Sequence, residues 1–309
     1  MDADAITQAV CLNCDRQGSL LSWYLIDNHD VVRCGDCNNA QLLKMPTDTQ
    51  LEIFYRAYSE LYPGRDTSDL RFLKTKNYHA WVFRRRLQKC IQLLGDVSGQ
   101  PLNILEIGCG SGIFLEQVIN AGHNGTGVEM SAPLATQARR ISPKVNIINS
   151  SFEDASLDQA SFDIVVAWDV LEHLPNQKHT FAKVERLLKP GGLFAAATIN
   201  TSSINRKVFG SYWGFFIPPE HVVFYDFQGL KTRLDRDWDV EQIRSYFAPQ
   251  LTLQGFAKLL SSKPRVTGLN YDLDHRILYI KAFLSMSLDF FLSRTSLGDI
   301  VEFHVRKRP

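Results

Sequence analysis

The stretch Leu105-Glu106-Ile107-Gly108-Cys109-Gly110-Ser111-Gly112 runs from an apolar strand pattern straight into the helical pattern Ile113-Phe114-Leu115-Glu116-Gln117-Val118-Ile119. Alternate glycines permit a tight turn that a ligand can approach closely, and the helix that follows starts with N–H groups lacking internal partners. Downstream of Leu102, short apolar runs alternate with helical stretches, the signature of βα units and a parallel sheet with covered faces. The pattern predicts strands at 103–107, 125–129, 145–149, 163–167, 192–198, 251–256 and 300–305. Seven strands make this an α/β, Rossmann-like chain. Glu129 closes the second of them, 17 positions beyond Gly112. In a doubly wound sheet an acid there can accept from ribose hydroxyls. A dinucleotide fingerprint would need glycine at position 113, where Ile stands, so nicotinamide binding is disfavoured.

The N-terminal 45 residues have few long apolar periods but hold Cys11, Cys14, Cys34 and Cys37, two C-x-x-C pairs with 19 residues between them. Met1 to Val10 carries two Asp and no Lys or Arg, which is not the order of a secretory signal, so a cytoplasmic chain is expected. In that compartment paired cysteines point to metal thiolate rather than to disulfides. A structural zinc would supply the stability so short a segment lacks, and four thiolates leave no coordination position for water.

Between these parts the pattern predicts a helix from Thr49 to about Tyr62, with Phe54, Tyr55 and Tyr58 at core spacing, ended by Pro63-Gly64. Residues 65–90 follow with eight basic and two acidic side chains. Such a run reads as a solvated helix face or as a holder of phosphate groups. The whole chain has a net charge of +1, so no global field draws it to nucleic acid or anionic lipid. The expected organisation is a ribbon at 1–45, a helical linker or lid at 46–100 and the α/β domain at 101–309. That domain has an aromatic insertion at 200–239 and a helical one at 259–298. The apolar stretch Ile277 to Leu292 is broken by Lys281 and Asp289 and is too short to span a bilayer, which leaves peripheral membrane contact as a minor reading.

Residues 102–200 resemble the class I S-adenosylmethionine-dependent methyltransferases. The resemblance is carried in order by Glu106-x-Gly108-x-Gly110-x-Gly112, by Glu129, and by Phe152-Glu153-Asp154. Phe162-Asp163-Ile164-Val165-Val166, Trp168-Asp169-Val170-Leu171-Glu172-His173-Leu174 and Leu188-Lys189-Pro190-Gly191-Gly192 continue it. It implies S-adenosylmethionine as cofactor. Glu106, Gly108, Gly110 and Gly112 would lie against its methionine and ribose portion, and Glu129 with the adjoining Met130 would meet the ribose. Glu153 or Asp154 would meet the adenine, and Trp168, Asp169 and His173 would lie near the sulfonium.

The flanks are similar to bacterial methyltransferases of sugar, glycan and natural-product chemistry. These share the four-cysteine ribbon, the Phe54-Tyr55-Arg56-Ala57-Tyr58 stretch and an element matched by Pro218-Pro219-Glu220-His221-Val222-Val223-Phe224-Tyr225. The similar deoxysugar C-methyltransferases carry a further C-terminal domain not seen in these 309 residues, which shifts the expectation from C- toward O- or N-methylation. The expected acceptor is a small molecule or glycan, methylated on oxygen. The activated methyl leaves the protein to align an acceptor and remove its proton, which suits histidine near neutral pH. His221 is the first candidate base and His173 the second, with Glu220 or Tyr225 orienting the imidazole or binding the acceptor. His221 as a merely hydrogen-bonded structural histidine stays open. So do a zinc-ribbon RNA methyltransferase, with nucleic acid as acceptor, a sugar C-methyltransferase, and a binding module that only holds the cofactor. Oligomeric state is not legible.

Overall fold

A computed structural model describes residues 5–6, 9–56, 70–95, 99–247 and 295–308. The N-terminal elements are β1 (Ala5–Ile6), β2 (Leu20–Ile26), β3 (His29–Cys34), β4 (Ala40–Leu42), α1 (Asp48–Arg56) and α2 (Leu70–Leu94). Then come β5 (Asn103–Ile107), α3 (Ile113–Asn120), β6 (Asn124–Glu129), α4 (Ala132–Ile141), β7 (Asn146–Asn149) and β8 (Phe162–Trp168). A short 3₁₀ turn at Leu171–His173 leads into α5 (Gln177–Leu187) and β9 (Leu188–Ile199). The remainder is α6 (Ile204–Phe209), β10 (Val223–Phe224), α7 (Phe227–Asp237), β11 (Asp239–Tyr246) and β12 (Ile300–Arg306).

Seven strands form one sheet in the order β11-β12-β9-β8-β5-β6-β7. The pairs from β9 to β7 are parallel, whereas β12 is antiparallel to both β9 and β11. Ile104, Leu105, Val165, Val166, Phe194 and the Ala195–Ala197 run are fully enclosed, as central strands covered on both faces must be. The expected strand at 251–256 and the helical insertion around Ile277–Leu292 lie outside the described residues. Among the described residues the edge strand is β11, Asp-Val-Glu-Gln-Ile-Arg-Ser-Tyr, whose polar, half-exposed sequence carries little strand signal of its own. Charged edges of this kind discourage pairing with a further chain.

The N-terminal segment forms a second, antiparallel sheet in the order β1-β2-β3-β4-β10. Its last strand belongs to the aromatic insertion at 200–239. Phe216 packs edge-on against Trp23 and Tyr24 of β2, with centroids 5.7 and 5.5 Å away, and against Trp213 and Phe224 at 5.2 and 5.1 Å. Trp213, Phe216, Phe224 and Tyr225 are all fully buried, so most of these aromatics make core between the ribbon and the large sheet. Asp226 caps α7 by accepting from the N–H groups of Gln228 and Gly229, while its own N–H donates to Asn39 of the ribbon.

Helix α2, the basic run, is only partly a solvated face. Arg86 is buried, donates through Nε to Glu302 Oε2 of β12 (3.0 Å) and through Nη2 to the Tyr246 hydroxyl, and lies 4.4 Å above the Trp168 ring. Lys76 pairs with Glu116 at 2.9 Å, and Arg84 donates to Gln117. Among the described residues no helix is long and apolar enough to cross a membrane.

Candidate active site

Four adjacent strands, β8, β5, β6 and β7, present their carboxyl ends side by side, where open α/β sheets take their ligands. Gly108, Gly110 and Gly112 have φ of 63°, 52° and 80°, so the turn after β5 is built from left-handed residues. A Cβ on Gly108 would stand 2.6 Å from Val170 Cγ2, whereas one on Gly110 would meet nothing within 4 Å. The open space is therefore at Gly110. Glu129, at the end of β6, binds the turn directly: its Oε2 accepts from Gly110 N–H at 2.8 Å and its Oε1 from Ser131 N–H at 2.7 Å.

Glu106 is buried beside it. Burial first, and the Glu129 carboxylate second, push the Glu106 carboxyl well above the usual range. Its Oε2 has no partner among the described residues, nor do the enclosed Glu153 Oε1 and Trp168 Nε1. Glu106 directly precedes Ile107 and the turn with room at Gly110, Glu129 is bonded to that turn, and an acidic pair there favours a positively charged ligand. The arrangement fits a sulfonium- and ammonium-bearing S-adenosylmethionine. The loop carrying Glu153 is pinned by Lys183, whose Nζ donates to the carbonyls of Phe152, Glu153 and Ala155. Met130 is half-buried, and its carbonyl accepts from Asn149. Asp154 is exposed and closes a local turn with Ser151. Asp169 is exposed with φ of 56°, and its N–H donates to Ala197.

The expected bases come together. The His173 and His221 rings meet edge to face, 4.8 Å between centroids. His173 Nδ1 bonds the Glu220 carbonyl at 2.9 Å, and His221 Nδ1 bonds the Phe215 carbonyl at 2.8 Å. A carbonyl only accepts, so each Nδ1 carries a hydrogen and each neutral ring has its acceptor lone pair on Nε2. Beneath them Glu172 is buried and accepts from the Thr198 hydroxyl at 2.7 Å. Burial and the Asp169 carboxylate, with a smaller push from Glu220, raise its carboxyl to about 8. The position expected for Tyr225 needs correction: its side chain is fully buried and its hydroxyl donates to Gln177, which commits it to the core rather than to an acceptor.

The four cysteines converge. Cys11 Sγ and Cys37 Sγ are 3.6 Å apart, Cys14 Sγ and Cys34 Sγ 3.7 Å. A tetrahedral zinc with bonds of about 2.3 Å needs sulfurs about 3.8 Å apart, so the set fits zinc. Each pair sits in the same knuckle: Asp15 N–H donates to the Cys11 carbonyl and Asn38 N–H to the Cys34 carbonyl, with Asp15 and Asn38 both at φ 60°. Asn39 Nδ2 and Ser19 Oγ approach the Cys37 and Cys34 sulfurs at 3.5 and 3.3 Å, orienting contacts of the kind that tune thiolate sites.

Comparison with known proteins decides the family. The sequence profile of a family described as "Methyltransferase domain" matches residues 78–239, just over half of the chain. The chain belongs to this methyltransferase family. Its seven-stranded sheet is that of the class I S-adenosylmethionine-dependent methyltransferases. Similar curated proteins include the ubiquinone biosynthesis O-methyltransferase of Aromatoleum aromaticum, 36% identical over 31% of this chain and 44% of that one. That of Maricaulis maris is 37% identical over 36% and 46%. The methyltransferase thus spans less than half the length of these relatives. A crystal structure from Thermotoga maritima, described as an S-adenosylmethionine-dependent methyltransferase and possible histamine N-methyltransferase, superposes with a TM-score of 0.50. It is 15% identical and covers 83% of this chain and 98% of that one, a likeness of fold.

The residue the sequence reading missed is Arg86. A signal was present, since Phe83, Leu87 and Cys90 place the buried face of α2 around it at helical spacing.

Proposed function

We propose that this methyltransferase transfers the methyl group of S-adenosylmethionine to an oxygen of a small-molecule or glycan acceptor. The observation that carries the reading is the Glu172, His173 and His221 cluster, which lies just beyond the end of β8. Bound there, the donor supplies a methyl group already activated on a sulfonium. In this reading Gly108, Gly110, Gly112 and Glu106 hold its amino-acid portion, Glu129 with Met130 its ribose, and Glu153 or Asp154 its adenine. Trp168 and Asp169 border the sulfonium. His221 and His173 face the acceptor and assist loss of its hydroxyl proton, with their rings oriented by the backbone carbonyls of Phe215 and Glu220. The names of the similar ubiquinone O-methyltransferases support oxygen as the target. Nucleic acid is less favoured than the basic run suggested, because Lys76, Arg84 and Arg86 are tied to Glu116, Gln117 and Glu302.

The test is transfer of labelled methyl into separated RNA, protein and small-molecule or glycan fractions. Gly110→Arg is the inactive control, because its side chain would enter the open space above the turn. Label in the small-molecule or glycan fraction, absent with the control, is expected. Label confined to RNA would overturn the reading.

A further inference from the structure

Glu172, His173 and His221 form a set of potential metal ligands apart from the four cysteines. One ligating atom of each lies within 4.8 Å of the other two, Glu172 and His221 are buried, and His173 is half-buried. Both imidazoles are held by Nδ1–H bonds to backbone carbonyls, the arrangement that presents Nε2 to a metal and fixes the ring's orientation. The carboxylate is held in turn by the Thr198 hydroxyl at 2.7 Å. The elements that carry these residues are braced against each other: the Val222 N–H donates to the Glu172 carbonyl at 2.8 Å. Asp169 stands three positions before Glu172 and Glu220 directly before His221, so further acidic residues adjoin the set in the chain.

We propose that Glu172, His173 and His221 bind a divalent cation of the manganese-to-zinc series, separate from the four-cysteine zinc. Two imidazoles and one carboxylate suit such borderline ions better than magnesium or calcium, and three protein ligands leave positions open for an exogenous oxygen. Bonds of about 2.1 Å require ligand atoms about 3.4 Å apart in a tetrahedral site, so the set draws in from its present spacing of up to 4.8 Å as the ion binds. The oxygen taken up is that of the acceptor. An acceptor with two adjacent oxygens, a diol or catechol pattern, would chelate the ion and present one oxygen toward the donor. Coordination lowers the hydroxyl's pKa, so its proton leaves to solvent water and the ligated imidazoles need not accept it. This acceptor class rests on the O-methylation reading; the cation site does not.

The experiment is titration of the zinc-loaded full chain with Mn²⁺, followed by the loss of the free-ion electron paramagnetic resonance signal, with and without S-adenosylmethionine. Four thiolates select zinc, so Mn²⁺ leaves the ribbon filled. The expected result is one Mn²⁺ per wild-type chain and selective broadening of the His173 and His221 ring resonances. Affinity should fall about ten-fold or more in His221→Ala and in Glu172→Gln, while donor binding stays within about two-fold. Absence of stoichiometric Mn²⁺ in the wild type overturns the site whatever the variants do, as does wild-type Mn²⁺ affinity in both folded variants. The two readings fail separately. Mn²⁺ binding without methyl transfer to an oxygen acceptor removes the O-methylation reading alone, and transfer without Mn²⁺ binding removes the cation site alone.

Discussion

Replacing Glu129 by glutamine changes one atom and tests the donor site most directly. The carboxylate is 7% exposed and accepts two backbone N–H groups, from Gly110 at 2.8 Å and Ser131 at 2.7 Å. Glutamine offers one acceptor oxygen, so its amide nitrogen must face one of those two N–H groups, donor against donor. One charge-assisted hydrogen bond is lost, which costs about 1.5–3 kcal/mol. If that cost falls on the donor complex, the dissociation constant for S-adenosylmethionine rises about 10- to 150-fold. Glu129 acts on ground state and transition state alike, so kcat at saturating donor should change much less than KM. Isothermal titration of the donor into the zinc-loaded variant, with circular dichroism as the folding control, measures the effect. A dissociation constant within about threefold of wild type in a folded Glu129→Gln chain would refute the assignment.

Three further outcomes follow from the structure. Arg86→Met leaves the buried Glu302 with, among the described residues, the more exposed Arg244 as its ion-pair partner at 2.6 Å, and should cost about 3 kcal/mol by urea unfolding. Glu302→Gln in the same chain should restore most of that loss. His304 is fully buried, its ring nitrogens lack partners among the described residues, and burial holds it down to about 4. The folded chain therefore keeps this ring neutral while the unfolded chain protonates it below about 6.5. Its contribution is present above that pH and is lost between about 6.5 and 4, amounting to about 3 kcal/mol. His304→Leu should flatten that part of the stability profile. Removing zinc with a chelator should cost amide protection in hydrogen exchange at Leu42 and at Val222 to Phe224, because the ribbon strand β4 pairs with β10.

The central sheet was legible because its strands are continuous apolar runs bounded by glycine turns. The first of them, Asn103–Ile107, stands where expected, and the strand at 300–305 is extended by one residue. Strand β11 was not legible, since its apolar residues Val240, Ile243 and Tyr246 recur every third position among Asp, Glu, Gln, Arg and Ser and so show no alternation. The ribbon's docking was invisible for a different reason. It depends on pairings such as Asn39 with Asp226, 187 positions apart, which no local pattern encodes. Tyr225 shows the resulting error. Motif spacing picked the residue out, but β10 turns to pair with the ribbon and carries the phenol into the core. The histidine pair was recognised residue by residue, yet its partnership with Glu172 needed the fold, because the short turn after β8 brings 171–173 against 220–222.

One residue near that junction has consequences for how the protein could change over time. Val222 takes part in two backbone bonds: its carbonyl accepts from Leu42 of the ribbon at 3.0 Å, and its N–H donates to the Glu172 carbonyl at 2.8 Å. The zinc module and the candidate histidine cluster, bonded to the two peptide groups that flank one residue, share a mechanical load path there. Deleting residues 1–45 would therefore do more than shorten the chain. It would strip β10 of its neighbour, leave the Val222 carbonyl without a donor, and bare the Phe216 aromatic cluster at a raw sheet edge, a template for aggregation. The ribbon can be inherited, lost or exchanged only together with the segment that carries His221.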